Sequence, residues 1–236
     1  MRIEKYLNTN KEEVENKSFN IWIGISLGNK YFTKEHIQAY ITWALEYTKE
    51  RVLVVIGDAL HASNLEVLDR RTPEAALRKA LRMGDIKFDE VKEIISGLTT
   101  EQQTKVSVVR WKDILDTNEY KKNITIVLDA YKNNFAFRQE IQGITKSGRK
   151  DRAERLEKLS EAELDRLCDY VLNEIPHFVN GVQGYGDDTI YTLIPYPGLS
   201  KLDELFVGLQ NKTLFPEVAE RLNITNKIAI LEAYVE

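Results

Sequence analysis

The fold turns on one stretch, residues 21–32, IWIGISLGNKYF. From Ile21 to Ile25 it is an unbroken apolar run of the kind that fills a strand covered on both faces. It ends in Ser26, which Gly24 and Gly28 bracket in the Gly-x-Ser-x-Gly spacing of a hydrolase nucleophile elbow. The glycines allow a tight turn and a close backbone approach to a ligand, and the helix expected next would offer N–H groups to a developing oxyanion. Whether Ser26 is a nucleophile, and towards what, depends on the rest of the chain.

Outward from this stretch the pattern alternates. Residues 19–26 read as a strand, 33–50 as an amphipathic helix, 51–57 (RVLVVIG) as a second buried strand and 73–96 as a helix. A third strand is expected over 104–111, a long helix over 117–145, and a further helix from a capping box at Ser160 and Glu163 to Phe178. DTIYTLIPYP (188–197) reads as the fourth strand, followed by two short helices and a fifth strand at 227–234. Apolar strands alternating with helices indicate an α/β, doubly wound, Rossmann-like domain: about five mostly parallel strands with helices on both faces. Residues 1–236 then form a single domain behind a polar segment at 1–18, and the ligand site belongs beyond the carboxyl ends of the strands.

Composition narrows the function classes. No apolar run approaches the length that crosses a bilayer, and the opening MRIEKYLNTNKEEVENK lacks the apolar core of a signal peptide, so a cytoplasmic protein is expected. The single Cys168 lies in an apolar helical stretch and reads as a buried structural thiol. With a net charge of −4, a polyanionic partner would need a local basic patch. One exists: Arg70, Arg71, Arg78, Lys79 and Arg82 stand against a lone Glu74. Thr72-Pro73 is a good helix start, and at about 100° per residue Arg71, Arg78 and Arg82 share one arc.

The elbow reading of Ser26 meets an obstacle. A hydrolase elbow follows a central strand, with an acid and then a histidine downstream. Of the three histidines, His36 and His61 come too early, and His177 sits in a helical IPHFV setting that looks structural. The class I aminoacyl-tRNA synthetases, which bind ATP, are also poorly matched. HIQA at 36–39 lacks the Gly and second His of their first signature, and TKSGRK at 145–150 imitates the second poorly, so ATP is not expected as a substrate.

A later segment gives Ser26 a context. In YVLNEIPHF, Tyr170 and Glu174 lie four apart and share a helical face, and Pro176 is expected to kink the helix just beyond them. Together with GISLGN and the strand-borne Tyr196-Pro197, this segment resembles the cyclodipeptide synthase family. Members of that family resemble the catalytic domain of class I tyrosyl- and tryptophanyl-tRNA synthetases without the ATP site. They join amino acids from two aminoacyl-tRNAs into a cyclic dipeptide.

The resemblance covers about residues 19–200. It implies that Ser26 accepts the first aminoacyl group, that Tyr170 and Glu174 hold its α-amino group, and that Tyr196 relays protons. It also implies a tRNA-binding role for Arg71, Arg78, Lys79 and Arg82, no cofactor and no metal; a monomer is expected. Asn29 together with Tyr196-Pro197 mixes the signatures of two family branches, so Asn29 is either a ligand contact or a turn cap. Tyr191 competes with Tyr196 for the strand position. Trp22, Gly24 and Ile56 are the residues expected to wall the first substrate pocket. The alternatives are an α/β serine hydrolase and a non-catalytic RNA- or nucleotide-binding domain.

Overall fold

The computed structural model describes residues 1–149, 153–183 and 188–236. Its elements begin with strand β1 (Arg2–Leu7), helix α1 (Lys11–Glu15), β2 (Ile21–Ser26), α2 (Lys34–Tyr47) and β3 (Val52–Gly57). Then come α3 (His61–Val67), α4 (Pro73–Ser96), α5 (Thr100–Lys105), β4 (Val106–Arg110), α6 (Asn118–Asn133), α7 (Phe135–Ser147) and α8 (Ala153–Leu156). The chain finishes with α9 (Glu161–Asn180), β5 (Val182–Gln183), β6 (Ile190–Tyr191), β7 (Leu193–Tyr196), α10 (Lys201–Gln210), α11 (Pro216–Arg221) and β8 (Ala229–Tyr234).

The six-stranded sheet has the order β1-β8-β7-β2-β3-β4, parallel throughout except where β1 pairs antiparallel with β8. β1 was not expected as a strand. RIEKYL is polar because it forms the sheet's edge with much of its length exposed, and an edge strand need not read as a buried run. The anticipated fourth strand splits: β6 leaves to pair with β5 in a small hairpin, and β7 enters the main sheet. The helix expected over 117–145 breaks at Asn134, which ends α6 and caps α7 by accepting from the Phe137 amide at 3.0 Å.

Each face of the sheet carries a core. Ile21, Ile23, Ile25, Val52, Val54 and Ile56 pack with α2 and α4 through residues such as Ile37, Tyr40, Val91 and Ile94. Trp22, Leu53 and Val55 point the other way, towards Val127, Ile141, Val171 and Ile175 of α6, α7 and α9. This is the period-two alternation of a strand. α4 begins with the Thr72 cap and Pro73 and is pinned near its middle. Arg110, at the end of β4, pairs with the fully buried Asp58 after β3 and donates to Asp85 (2.5 Å) and to the Leu81 carbonyl (3.0 Å) on α4. Gly84 permits this approach: a Cβ there would lie 2.5 Å from the Asp58 Cβ. Among the described residues no helix is long and apolar enough to cross a membrane.

Candidate active site

β2 is the first strand of the parallel series, and its neighbours β3 and β7 extend the sheet in opposite directions. That is a topological switch point, where an open α/β sheet leaves a crevice at the carboxyl ends of its strands. The ladder between β2 and β7 is made by Ile21 and Leu193, at the amino ends of both strands. At the other end Ser26 closes β2 and Tyr196 closes β7. The Tyr196 hydroxyl donates to Ser26 Oγ at 3.1 Å, and the Tyr170 hydroxyl lies 3.3 Å from the same oxygen. Residues 144 and 170 positions downstream thus converge on one serine.

Of the two roles open to Asn29, the turn contact is the one seen. Its Oδ1 accepts from the Tyr31 amide at 3.0 Å, shaping the loop, and its Nδ2 reaches the Tyr196 hydroxyl at 3.4 Å. Gly28 adopts φ +85, and a Cβ there would lie 3.0 Å from the His61 ring, so glycine suits both the backbone and the packing. The helix expected over 33–50 runs from Lys34 to Tyr47, and the His36 amide in its first turn is capped by Thr33.

α9 supplies the facing wall. Its Ser160–Glu163 capping box forms as expected, and the helix continues through Pro176 to Asn180. Tyr170, Glu174 and Phe178 therefore form one stripe along it. They line a cavity of about 400 Å³ with Ser26, Tyr196, Asn64, Arg149 and Asp203. Burial pushes the Glu174 carboxyl up to about 8, with the neighbouring Asp203 charge raising it further and Arg149 opposing. Burial raises Tyr170 well above the ordinary phenol range, helped by Glu174 and Tyr196. Tyr196 is also raised by burial, against hydrogen bonds to Ser26 and Asn29 that lower it. Asp203 is raised by burial too, while Ser200 pulls the other way by donating to it from amide and hydroxyl at 2.6 and 2.8 Å. The centre is a serine between two neutral phenols, beside a carboxyl that titrates near neutrality.

The chain's sequence matches the cyclodipeptide synthase family over residues 7–206. The chain belongs to the cyclodipeptide synthase family. Solved structures agree on the fold. A cyclodipeptide synthase from Bacillus thermoamylovorans superposes with a TM-score of 0.73 at 19% identity, covering 93% of this chain and 90% of that one. One from Staphylococcus haemolyticus gives 0.73 at 17% identity, with 98% and 99% covered. One from Candidatus Glomeribacter gigasporarum, solved bound to Phe-tRNAPhe, gives 0.63 at 16% identity, with 92% and 88% covered. A comparison with curated proteins finds no match.

Within this cyclodipeptide synthase the remaining expected residues separate. Trp22 and Gly24 line a second, smaller cavity that also reaches Ser26, Tyr170, Glu174, Phe178 and Tyr196. Ile56 does not. It packs into the core on the opposite face, and Val55, one residue earlier, holds the place on the cavity side. Tyr191 is buried in β6, leaving the site to Tyr196. Arg78 and Arg82 are exposed one turn apart on α4. Arg71 precedes the Thr72 cap, so helical periodicity does not place it; it and Lys79 both approach Asp69, at 4.0 and 3.5 Å. α3 joins this basic helix to the site: its Ala62 and Leu65 pack on Ala76 and Ala80, and its Asn64 lines the large cavity.

His36 and His177 hold packing positions, whereas the His61 ring lies against Gly28 with its Nδ1 3.4 Å from Asn64 Nδ2. His36 Nδ1 lies 2.7 Å from the Tyr31 carbonyl. His177 stacks on Tyr120 at 4.7 Å and meets Trp111 edge-on, and burial lowers its pKa to about 3. Cys168 is buried. Among the described residues no group of three or more His, Cys, Asp or Glu could hold a metal ion.

The sequence reading missed Arg149, Asn64, Phe178 and Asp203. Arg149 belongs to the mixed-charge stretch KSGRKDRAERLEK (146–158), which reads as an exposed helix; residues 150–152 of that stretch lie outside the described residues. Arg149 itself is half-buried, binding Asn64 Oδ1 at 2.6 Å and the Thr145 carbonyl at 2.7 Å. Phe178 was legible as the next position on the Tyr170–Glu174 stripe.

Proposed function

We propose that the chain is a tRNA-dependent cyclodipeptide synthase working by a ping-pong route through an aminoacyl ester on Ser26, with two aminoacyl-tRNAs as substrates. The observation that carries this reading is Ser26 Oγ set between the Tyr170 and Tyr196 hydroxyls at the switch point, with Glu174 one turn along α9. In the first step Ser26 Oγ attacks the aminoacyl carbonyl; the Oγ–C bond forms and the bond to the tRNA ribose oxygen breaks. The serine proton passes through the hydrogen-bonded phenols to that leaving oxygen. An aminoacyl ester is already activated, so the serine needs positioning and a proton path more than an imidazole base.

In the second step the amine of another aminoacyl-tRNA attacks the carbonyl of aminoacyl-Ser26, forming the peptide bond and freeing Ser26. The new dipeptide's own amine then displaces the second tRNA, closing the ring. A general base works best when its pKa is near the operating pH, and Glu174 at about 8 suits removal of a proton from an amino ester's ammonium. Arg78 and Arg82 would meet tRNA phosphates, with Arg71 and Lys79 beside them, giving salt-sensitive binding. The relative solved with Phe-tRNAPhe supports an RNA partner on this fold. No metal or cofactor enters the scheme.

The hydrolase reading is disfavoured because the side-chain contacts of Ser26 Oγ among the described residues are to Tyr170 and Tyr196 and not to a histidine, while His177 is stacked on Tyr120. The test is mass spectrometry of culture medium from cells expressing the protein. New cyclic dipeptides that vanish with Ser26→Ala are expected. Turnover of simple activated esters without tRNA, and no cyclic product, would contradict the proposal.

A further inference from the structure

Two cavities of very different size meet at Ser26. Both are bordered by Ser26, Tyr170, Glu174, Phe178 and Tyr196. The larger, about 400 Å³, has room for a second aminoacyl ester arriving on its tRNA end. The smaller, about 30 Å³, lies against the sheet, between Trp22, Gly24, Val55, Gly57 and Trp111. One water needs roughly 10–15 Å³ by the same measure, so the smaller cavity admits about two non-hydrogen atoms.

With the small cavity as the first substrate pocket that Trp22 and Gly24 were expected to wall, we propose that Trp22 and Trp111 restrict the first aminoacyl group to the glycine, alanine, serine or cysteine size class. The proposal rests on the ping-pong reading of Ser26. An acyl group on Ser26 Oγ has its α-carbon one atom beyond the ester carbonyl, so its side chain starts at the mouth of both cavities. The larger must stay free for the second substrate while the ester is in place, which leaves the smaller for the first side chain.

The walls of the small cavity are fixed. Trp22 and Trp111 are 2% and 3% exposed. Trp22 packs edge-on against Phe178 with ring centroids 5.0 Å apart, and Phe178 stacks on Phe206 at 4.3 Å. A larger acyl group could not swing Trp22 aside without displacing two further aromatic rings. The benzo edge of Trp22 faces the space above Gly24: a Cβ on Gly24 would sit 3.4 Å from Trp22 Cζ3. Away from Ser26, Tyr170, Glu174 and Tyr196 the lining is made of apolar residues, and its width is set by an indole on one strand residue and by the absence of side chains at Gly24 and Gly57.

The test uses the full chain and one tRNA body misacylated in turn with radiolabelled glycine, alanine, serine, leucine and phenylalanine, so that tRNA contacts stay constant. Single-turnover labelling of the protein is measured. The expected result is labelling by the small residues at least about 10-fold faster than by leucine or phenylalanine, given about 10–200-fold per misfitting methylene. Trp22→Leu should raise leucine labelling by a similar factor. Should Trp22→Leu fail to fold, Gly24→Ala serves instead: its methyl makes ordinary contact with Trp22 and should slow alanine and serine labelling at least about 10-fold relative to glycine. Equal labelling by alanine and phenylalanine in the wild type, unchanged by Gly24→Ala, would overturn this inference and leave the ping-pong reading standing. No labelling from any charged tRNA, with tRNA binding intact, would remove both.

Discussion

The two faces of β2 and β3 are built from alternate residues of the same two strands, yet one is a closed core and the other an open site. On one face Ile21, Ile23, Ile25, Val52, Val54 and Ile56 are all large, apolar and buried. On the other the series runs from Trp22 and Leu53 to Gly24, Ser26 and Gly57, so side-chain volume falls away towards the carboxyl ends. The space left there is not filled by another apolar helix face. α9 turns Tyr170 and Glu174 into it, and β7 ends in Tyr196. The site is thus made by leaving out side chains on the sheet and lending polar ones from elements far along the chain. Burial follows for groups that ordinarily face water, and with it come the raised pKa values of Glu174, Tyr170 and Tyr196.

Changes on the two faces should therefore separate turnover from stability. The largest effect on turnover short of removing the serine is expected from Glu174→Gln, a loss of about 10²–10⁴-fold in cyclic dipeptide formation. Wild-type turnover should rise with pH through about 8 as Glu174 ionises, and the variant's profile should lack that limb. Stability carries the opposite slope. The folded-state pKa of Glu174 lies above the ordinary carboxyl value of 4.5, so between the two values the folded protein holds more protons than the unfolded chain. Wild-type stability relative to Glu174→Gln should fall as pH rises from about 4.5 to about 8, as thermal unfolding across that range would show.

On the closed face, Ile23→Ala should cost about 2–5 kcal/mol in denaturant unfolding. Per folded molecule, acylation of Ser26 should be nearly unchanged, because Ile23 points away from both cavities. Equal losses of turnover per folded molecule from Ile23→Ala and Glu174→Gln would break the contrast. The smallest effect belongs to the basic helix. Arg78→Ala and Arg82→Ala should each weaken tRNA binding and make it less salt-dependent by about one counterion, with single-turnover acylation at saturating tRNA preserved.

The same strand parity explains what was legible in the sequence. The limits of α4 follow from Thr72-Pro73 and its amphipathic pattern, and α9 from the Ser160–Glu163 capping box, because caps are local chemistry. Ser26, Tyr170, Glu174 and Tyr196 could be named because each stands in a short motif. Ile56 was misplaced because a fully apolar strand such as VLVVI shows no alternation from which to read its face, and one residue of phase exchanges Ile56 for Val55. β1 was missed because a half-exposed edge strand carries little hydrophobic signal. Arg149 and Asp203 were hidden for another reason. One lies in a charged run and the other is the N3 residue of a capping box, and only the tertiary arrangement turns them towards the cavity.

The ping-pong route turns on where the first amino acid is held. The decisive measurement is acid-quenched intact-mass and peptide mass spectrometry of the protein mixed with a single charged tRNA. An added mass of one aminoacyl residue, mapped to the peptide containing Ser26 and absent from Ser26→Ala, is the predicted result. Cyclic dipeptide formation at undiminished rate by Ser26→Ala, or an aminoacyl group mapped to another residue, would contradict it.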